Sequence, residues 1–223
     1  MLLACGSPPP SNSTPSEPTS EAPPAAEPET ADAGVEVLTP TPKSETEASI
    51  KGISEKIKYV NKPTPFGNDK ADARSFTGAI FRTQPGTTQL PDFGKMRPIG
   101  LLATERIDIP STNDFTGFPG IDKARKTEFA IRYEAALNVG KDANYTFRLV
   151  SDDGAKLFID DMEIIDNDGL ASGGVKEGKR VVHLVKATHL IRVDYFQADG
   201  GVALQLLVTP PEGEEAPLRT NLF

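Results

Sequence analysis

Residues 145–161 read YTFRLVSDDGAKLFIDD, and the fold turns on how this stretch is parsed. Tyr145, Phe147 and Leu149 alternate with Thr146, Arg148 and Val150, the period-two signature of a strand whose two faces see different surroundings. Leu157 and Ile159 resume the pattern. Between the two runs lies a tight corner, Ser151-Asp152-Asp153-Gly154. Two adjacent carboxylates at a strand end repel each other and are costly to leave unpaired. The corner is therefore a candidate for cation binding. Asp160-Asp161, between the second run and the next, reads as a hairpin tip.

The same alternation extends in both directions. Upstream lie runs at 75–81, at 99–109 ending before Pro110, and from Phe129 through Ile131 and Tyr133 to Leu137 and Val139. Downstream are 163–165, Val182 with Leu184, then Ile191, Val193 and Tyr195, and finally Val202, Leu204, Leu206 and Val208. Gly, Asn and Asp clusters separate them, at 138–140, 167–169, 173–174 and 199–201. Many short strands with turn signals between them predict an all-β fold, an antiparallel sandwich or barrel. A loop at 110–126 interrupts the series, and loops of that length are often functional. Its Phe115 and Phe118, in a Gly/Pro context, suit either an exposed binding surface or a flap over the core.

The N-terminal quarter differs in kind. Residues 1–58 contain no aromatic residue, and residues 6–49 hold 10 of the 20 prolines. Such a segment buries too little apolar surface to offset its ordering entropy. It reads as a disordered linker over 6–58, with Ile50, Ile53, Ile57 and Val60 suggesting a short helix or extended lead-in at 44–60. The domain is then 59–223. Of the net charge of −8, six acids and no base fall within 1–42, which leaves 26 acids and 24 bases in 43–223. No basic patch is concentrated anywhere, so nucleic acid is not an expected partner.

The single cysteine, Cys5, excludes an internal disulfide. Its context, Leu2-Leu3-Ala4-Cys5-Gly6-Ser7, resembles the end of a bacterial lipoprotein signal, without the basic and apolar regions that stand ahead of it there. Residues 1–5 then read as a signal remnant with Cys5 as the lipidation site. The linker would tether the domain to the cell envelope, at the outer membrane or cell surface. Contact with the membrane would run only through the lipid, since no apolar run is long enough to span one.

Other motifs carry less. His183 and His189 lack companions at metal-ligand spacing and read as structural. Asp166 and Asp168 fail the register of a helix-loop-helix calcium loop. No nucleophile elbow, phosphate loop or dinucleotide fingerprint occurs. Adjacent carboxylates in one corner cannot face each other across a glycosidic bond, so no enzyme is expected.

The order YTFRLVSDDGAKLFIDD, then Ile164-Ile165-Asp166-Asn167, then HLIRVDYFQADGGVALQLLV at 189–208 resembles the protective-antigen fourteen-kilodalton domain, shared by anthrax toxin, yeast flocculins and bacterial adhesins and glycosidases. The strong match covers 129–209. The resemblance implies an antiparallel β-sandwich of two sheets, jelly-roll-like, behind the linker. It also implies a calcium ion at a tip of the sandwich, held by two aspartates joined through a cis peptide, with sugar hydroxyls completing the shell. Asp152 and Asp153 match that pair, and Gln197 and Asp199 would add ligands from the following loop. The departures are Asp161, where the family often has Gly, and the lack of any Trp. A stacking platform falls to Phe115, Phe118 or Phe196, or to no aromatic.

The sequence thus leads to a lipid-anchored, adhesin-like, calcium-dependent carbohydrate-binding module, a monomeric domain with glycans as partners. The alternative is a structural or protein-interaction sandwich of the envelope without ion or sugar.

Overall fold

The computed structural model describes residues 36–42, 64–65, 76–112, 118–121 and 126–222. Cys5, most of the 6–58 linker, the 44–60 lead-in and Phe115 lie outside them. Contacts divide the chain at Gly34, and the unit Val35–Phe223 holds everything described.

The strands are β1 (Thr64–Pro65), β2 (Phe76–Arg82), β3 (Gly100–Thr104), β4 (Asp108–Thr112), β5 (Phe129–Val139), β6 (Ala143–Asp152), β7 (Ala155–Ile159), β8 (Met162–Asn167), β9 (Lys176–Leu184), β10 (Thr188–Gln197), β11 (Val202–Thr209), β12 (Ala216–Pro217) and β13 (Asn221–Leu222). One sheet runs β1-β3-β2-β5-β10-β7-β8, with β13 also paired to β5. The other runs β12-β11-β6-β9, with β4 also paired to β11. All pairings are antiparallel except β1 with β3 and β13 with β5. The expected two-sheet antiparallel β-sandwich is what forms.

Alternation explains the layering. Ile131, Tyr133, Ala135, Leu137 and Val139 of β5 face Tyr145, Phe147 and Leu149 of β6 in one core, joined by Ile191, Val193 and Tyr195 of β10 and Val202, Leu204, Leu206 and Val208 of β11. Each of the larger of these side chains contributes roughly 1.5–3 kcal/mol by leaving water. Gly78 of β2 lets Tyr133 lie flat across it, since a Cβ there would stand 2.6 Å from Tyr133 Cε1. Outside the first sheet a smaller cluster forms from Phe81, Ala130 and Phe196. The 3-10 turn Phe93–Lys95 lays Phe93 on it, edge to face with Phe81 at 5.1 Å.

Two expectations change. The run at 99–109 is two strands in different sheets, β3 and β4. Its break is a turn in which Thr104 Oγ1 donates to the Arg106 carbonyl at 2.7 Å. Within the segment read as linker, Leu38 bridges to Val182 on the edge of β9. Leu38 N donates to Val181 O at 3.2 Å and His183 N to Leu38 O at 2.7 Å, and Leu38 packs against the core. The domain therefore takes in residues well upstream of 59.

Register places the site. Asp152 pairs with Ala203, Ser151 with Lys176, Tyr195 with Ala155, Gln197 with Phe129 and Arg82 with Phe129. The ends of β2, β6, β8 and β10 and the starts of β5, β7, β9 and β11 thus meet at one apex.

Candidate binding apex

The Asp152-Asp153 corner stands at that apex, and its peptide bond is cis. The two carboxylates have different surroundings. Asp153 is 4% exposed. Its Oδ2 accepts from Ala198 N at 2.8 Å and Asp199 N at 3.3 Å, and its Oδ1 from Ala171 N at 3.1 Å. It thereby fastens the 198–201 loop and the 168–175 loop to the corner. Asp152 is half-buried, and its carboxylate has no hydrogen bond or ion pair among the described residues. Burial, and after it the charge of Asp153, push its pKa up to about 6. Its Oδ2 lies beside Gly201, where an added Cβ would stand 3.2 Å from it.

Gly154 follows because nothing larger fits. A Cβ there would stand 2.3 Å from the Phe196 ring and 2.9 Å from Gly169 N.

Gln197 corrects the expectation set for it. Its side chain is fully buried; Nε2 donates to the carbonyls of Asp199 at 2.9 Å and Gly201 at 2.8 Å. Its Oε1 meets the Tyr195 hydroxyl, which also lies 2.6 Å from the Asp152 carbonyl oxygen. With both ends engaged, Gln197 shapes the loop and offers no side-chain oxygen to an ion. Tyr195, which the sequence reading treated as a strand residue alone, is the strut between corner and loop. Asp199 is exposed, with Oδ1 accepting from Gly200 N at 2.8 Å.

The aromatic platforms are corrected too. Phe118 is 2% exposed and packs between Phe129 and Tyr195, ring centroids at 5.5 and 5.4 Å. Phe118 therefore belongs to the core and presents no face to a ligand. Phe196 is enclosed in the outer cluster.

Beside the corner opens a cavity of about 610 Å³. Its walls come from Thr83 to Thr88 after β2, from Thr127 and Glu128 before β5, from Leu170 to Ser172, and from Ala198 to Gly200, with Asp153 at its edge. No sequence signal marked Thr83 or Glu128, which stand 70 and 25 residues from Asp153. Backbone bonds bring them in: Thr83 N donates to Glu128 O at 3.1 Å, and Glu128 N to Gln197 O at 3.0 Å.

Residues 98–219 match the PA14 domain. The chain belongs to the PA14 domain family. Solved structures with the same fold include a PA14 sugar-binding domain from an RTX adhesin, at 12% identity and TM-score 0.54, covering 66% of this chain and 96% of that one. The PA14 domain of the MpAFP antifreeze protein matches at 13% identity and TM-score 0.52, covering 70% and 92%. An anti-sigma factor domain-containing protein matches at 18% and 0.52, covering 66% of this chain. The PA14 chain described here spans about half of that protein, 46% of its length. No curated protein matches in sequence.

Calcium takes six to eight oxygen ligands in flexible geometry. Asp152 fits that demand as an unpartnered carboxylate beside a second one, and Asp199 keeps one oxygen outside any hydrogen bond among the described residues. No three His, Cys, Asp or Glu side chains converge as a ready ligand set among the described residues. An ion at the corner therefore needs backbone, water or ligand oxygens as well.

Proposed function

We propose that this PA14 domain is a non-catalytic, calcium-dependent glycan-binding module, displayed on a bacterial cell surface through lipidated Cys5 and the Pro-rich linker. The observation that carries the reading is the half-buried Asp152 carboxylate, which has no hydrogen bond or ion pair among the described residues, next to Asp153, which lines a cavity. Asp152 and Asp153 would hold the ion, with backbone, water or ligand oxygens completing its shell. Bound calcium supplies neutralising charge and open coordination positions for neighbouring sugar hydroxyls. The protein's own share is to fix the corner through Tyr195, to shape the 198–201 loop through Gln197, and to present the cavity wall. The RTX adhesin relative, described as sugar-binding, supports the class of ligand.

Titration calorimetry with calcium, followed by a glycan array with and without chelator, tests the reading. Calcium binding with chelator-sensitive glycan capture is the expected result. Failure of the full chain to bind calcium sinks it.

One observation favours a second reading. The Asp153 carboxylate is already satisfied by three backbone N–H groups, which suits an interaction module that works without ion or sugar. An unchanged melting temperature in calcium would support that version.

A further inference from the structure

The dipeptide Asp-Gly occurs three times in the chain, at 153–154, 168–169 and 199–200, and all three stand at the apex. Asp-Gly carries a chemistry of its own. Glycine has no side chain to shield its nitrogen, so that nitrogen can reach the aspartate carboxyl carbon one residue back. The three copies are held very differently.

Asp153 is buried, and its carboxylate accepts from three backbone N–H groups. Gly154 is wedged against the Phe196 ring and Gly169 N, and its carbonyl accepts from Phe196 N at 2.9 Å. Asp168 Oδ1 accepts from Leu90 N at 2.8 Å as well as from Gly169 N at 2.7 Å, and Lys176 Nζ donates to the Asp168 carbonyl. Neither carboxyl can turn without breaking bonds to distant parts of the chain.

Asp199 is exposed. Among the described residues its carboxylate accepts only from Gly200 N, at 2.8 Å. The carboxyl and the nitrogen that would attack it therefore already lie side by side, with no other bond to break. Around Gly200 the space that a Cβ would occupy is open. Gln197 Nε2 donates to the Asp199 carbonyl at 2.9 Å. That bond draws electron density from the same peptide and eases loss of the Gly200 amide proton, the step that makes the nitrogen nucleophilic.

We propose that Asp199-Gly200 is a site of spontaneous succinimide and isoaspartate formation, which slackens the apex loop as the protein ages. Gly200 N bonds to Asp199 Cγ, the bond from Cγ to its protonated oxygen breaks, and that hydroxyl leaves with the amide proton as water. Water then adds to either carbonyl of the ring and restores the mass. Opening at the Asp199 main-chain carbonyl leaves the chain running through Cγ, one methylene longer, with a carboxylate where that carbonyl stood. Gln197 then loses the paired Asp199 and Gly201 carbonyls it holds, and the N–H groups of Ala198 and Asp199 are drawn off Asp153.

The test incubates the full chain in warm, neutral, calcium-free buffer and maps its peptides by electron-transfer fragmentation, which tells isoaspartate from aspartate. Conversion is expected at 199, with 153 and 168 slower by about tenfold for each bond that must first break. In urea the three dipeptides lose their surroundings and should convert at similar rates. Asp199→Glu would need a six-membered ring, so it should stay unconverted and keep its melting temperature on ageing, while that of the unsubstituted chain falls. Conversion at 153 or 168 in the folded chain as fast as at 199, or an Asp199 that converts in urea but not when folded, would overturn the assignment. A converted chain with an unchanged melting temperature would overturn the slackening of the loop.

Discussion

The two aspartate pairs of residues 145–161 sit at opposite ends of β7, a strand about 17 Å long by its rise per residue, and they are treated in opposite ways. At the far end Asp160 is buried, with Oδ2 2.6 Å from His189 Nδ1 and Oδ1 accepting from Leu190 N at 2.8 Å. His189 Nε2 meets the Val185 carbonyl at 3.0 Å, so both ring nitrogens face acceptors. Burial works against a charged ring, but the bonds to Asp160 and Val185 outweigh it and hold the His189 pKa above its ordinary value. Asp161 pairs with Arg192 at 2.9 Å. At the apex Asp153 is engaged, while among the described residues the Asp152 carboxylate has no hydrogen bond or ion pair. At one end both aspartates are engaged by side-chain partners; at the other the Asp152 carboxylate keeps its bonding capacity open. Sequence chemistry alone, Asp-Asp in both cases, does not separate them.

The sharpest way to break this comparison is Asp160→Ala. It leaves His189 buried without its counter-charge, and breaking such a pair costs about 3–5 kcal/mol. Urea denaturation should show that loss while calcium affinity is unchanged. A shift in calcium affinity would mean that the two ends are coupled.

Gly154→Ala should come next, at roughly 1–3 kcal/mol for forcing a methyl group against Phe196 and Gly169. Here calcium affinity should fall together with stability, because the corner itself must move.

Asp152→Asn is expected to act in the other direction. In calcium-free buffer it should stabilise the domain by about 1 kcal/mol, allowing for solvent screening at a partly exposed group. It should also abolish any rise in melting temperature on adding calcium. A destabilised Asp152→Asn would show that the carboxylate has a structural partner.

The pH profile offers the smallest and most discriminating contrast. The folded state holds the Asp152 proton more tightly than the unfolded chain does, so in calcium-free buffer stability falls as pH rises from 3.8 to about 6. The contribution of His189 is complete below its ordinary value of 6.5 and declines as pH rises through its higher folded value. Asp152→Asn should flatten the lower window and His189→Gln the upper one, each leaving the other in place.

Much of the fold was legible because strands announce themselves locally. The alternation of Phe129, Ile131 and Tyr133, or of Val202, Leu204 and Leu206, needs only a period of two. The corner was legible because like charges in sequence are like charges in space. What escaped was set by distant packing. Gln197 has the chemistry of an ion ligand, yet register places its amide within reach of the Asp199 and Gly201 carbonyls. Phe118 sits in a Gly/Pro loop that looks exposed, but the space between Phe129 and Tyr195 draws it inward. Thr83 has an ordinary sequence context, and only the path of β2 beside β5 brings it to the cavity.

The bridge from Leu38 to the edge of β9 has a mechanical consequence. Leu38 precedes every named strand of the sandwich, so tension applied from the N-terminal side reaches this bridge before those strands. Two backbone hydrogen bonds and one leucine hold it, against the long ladders of β5 with β10 and β6 with β9 behind it. Under load the bridge should yield before the sheets do, while the apex keeps its shape.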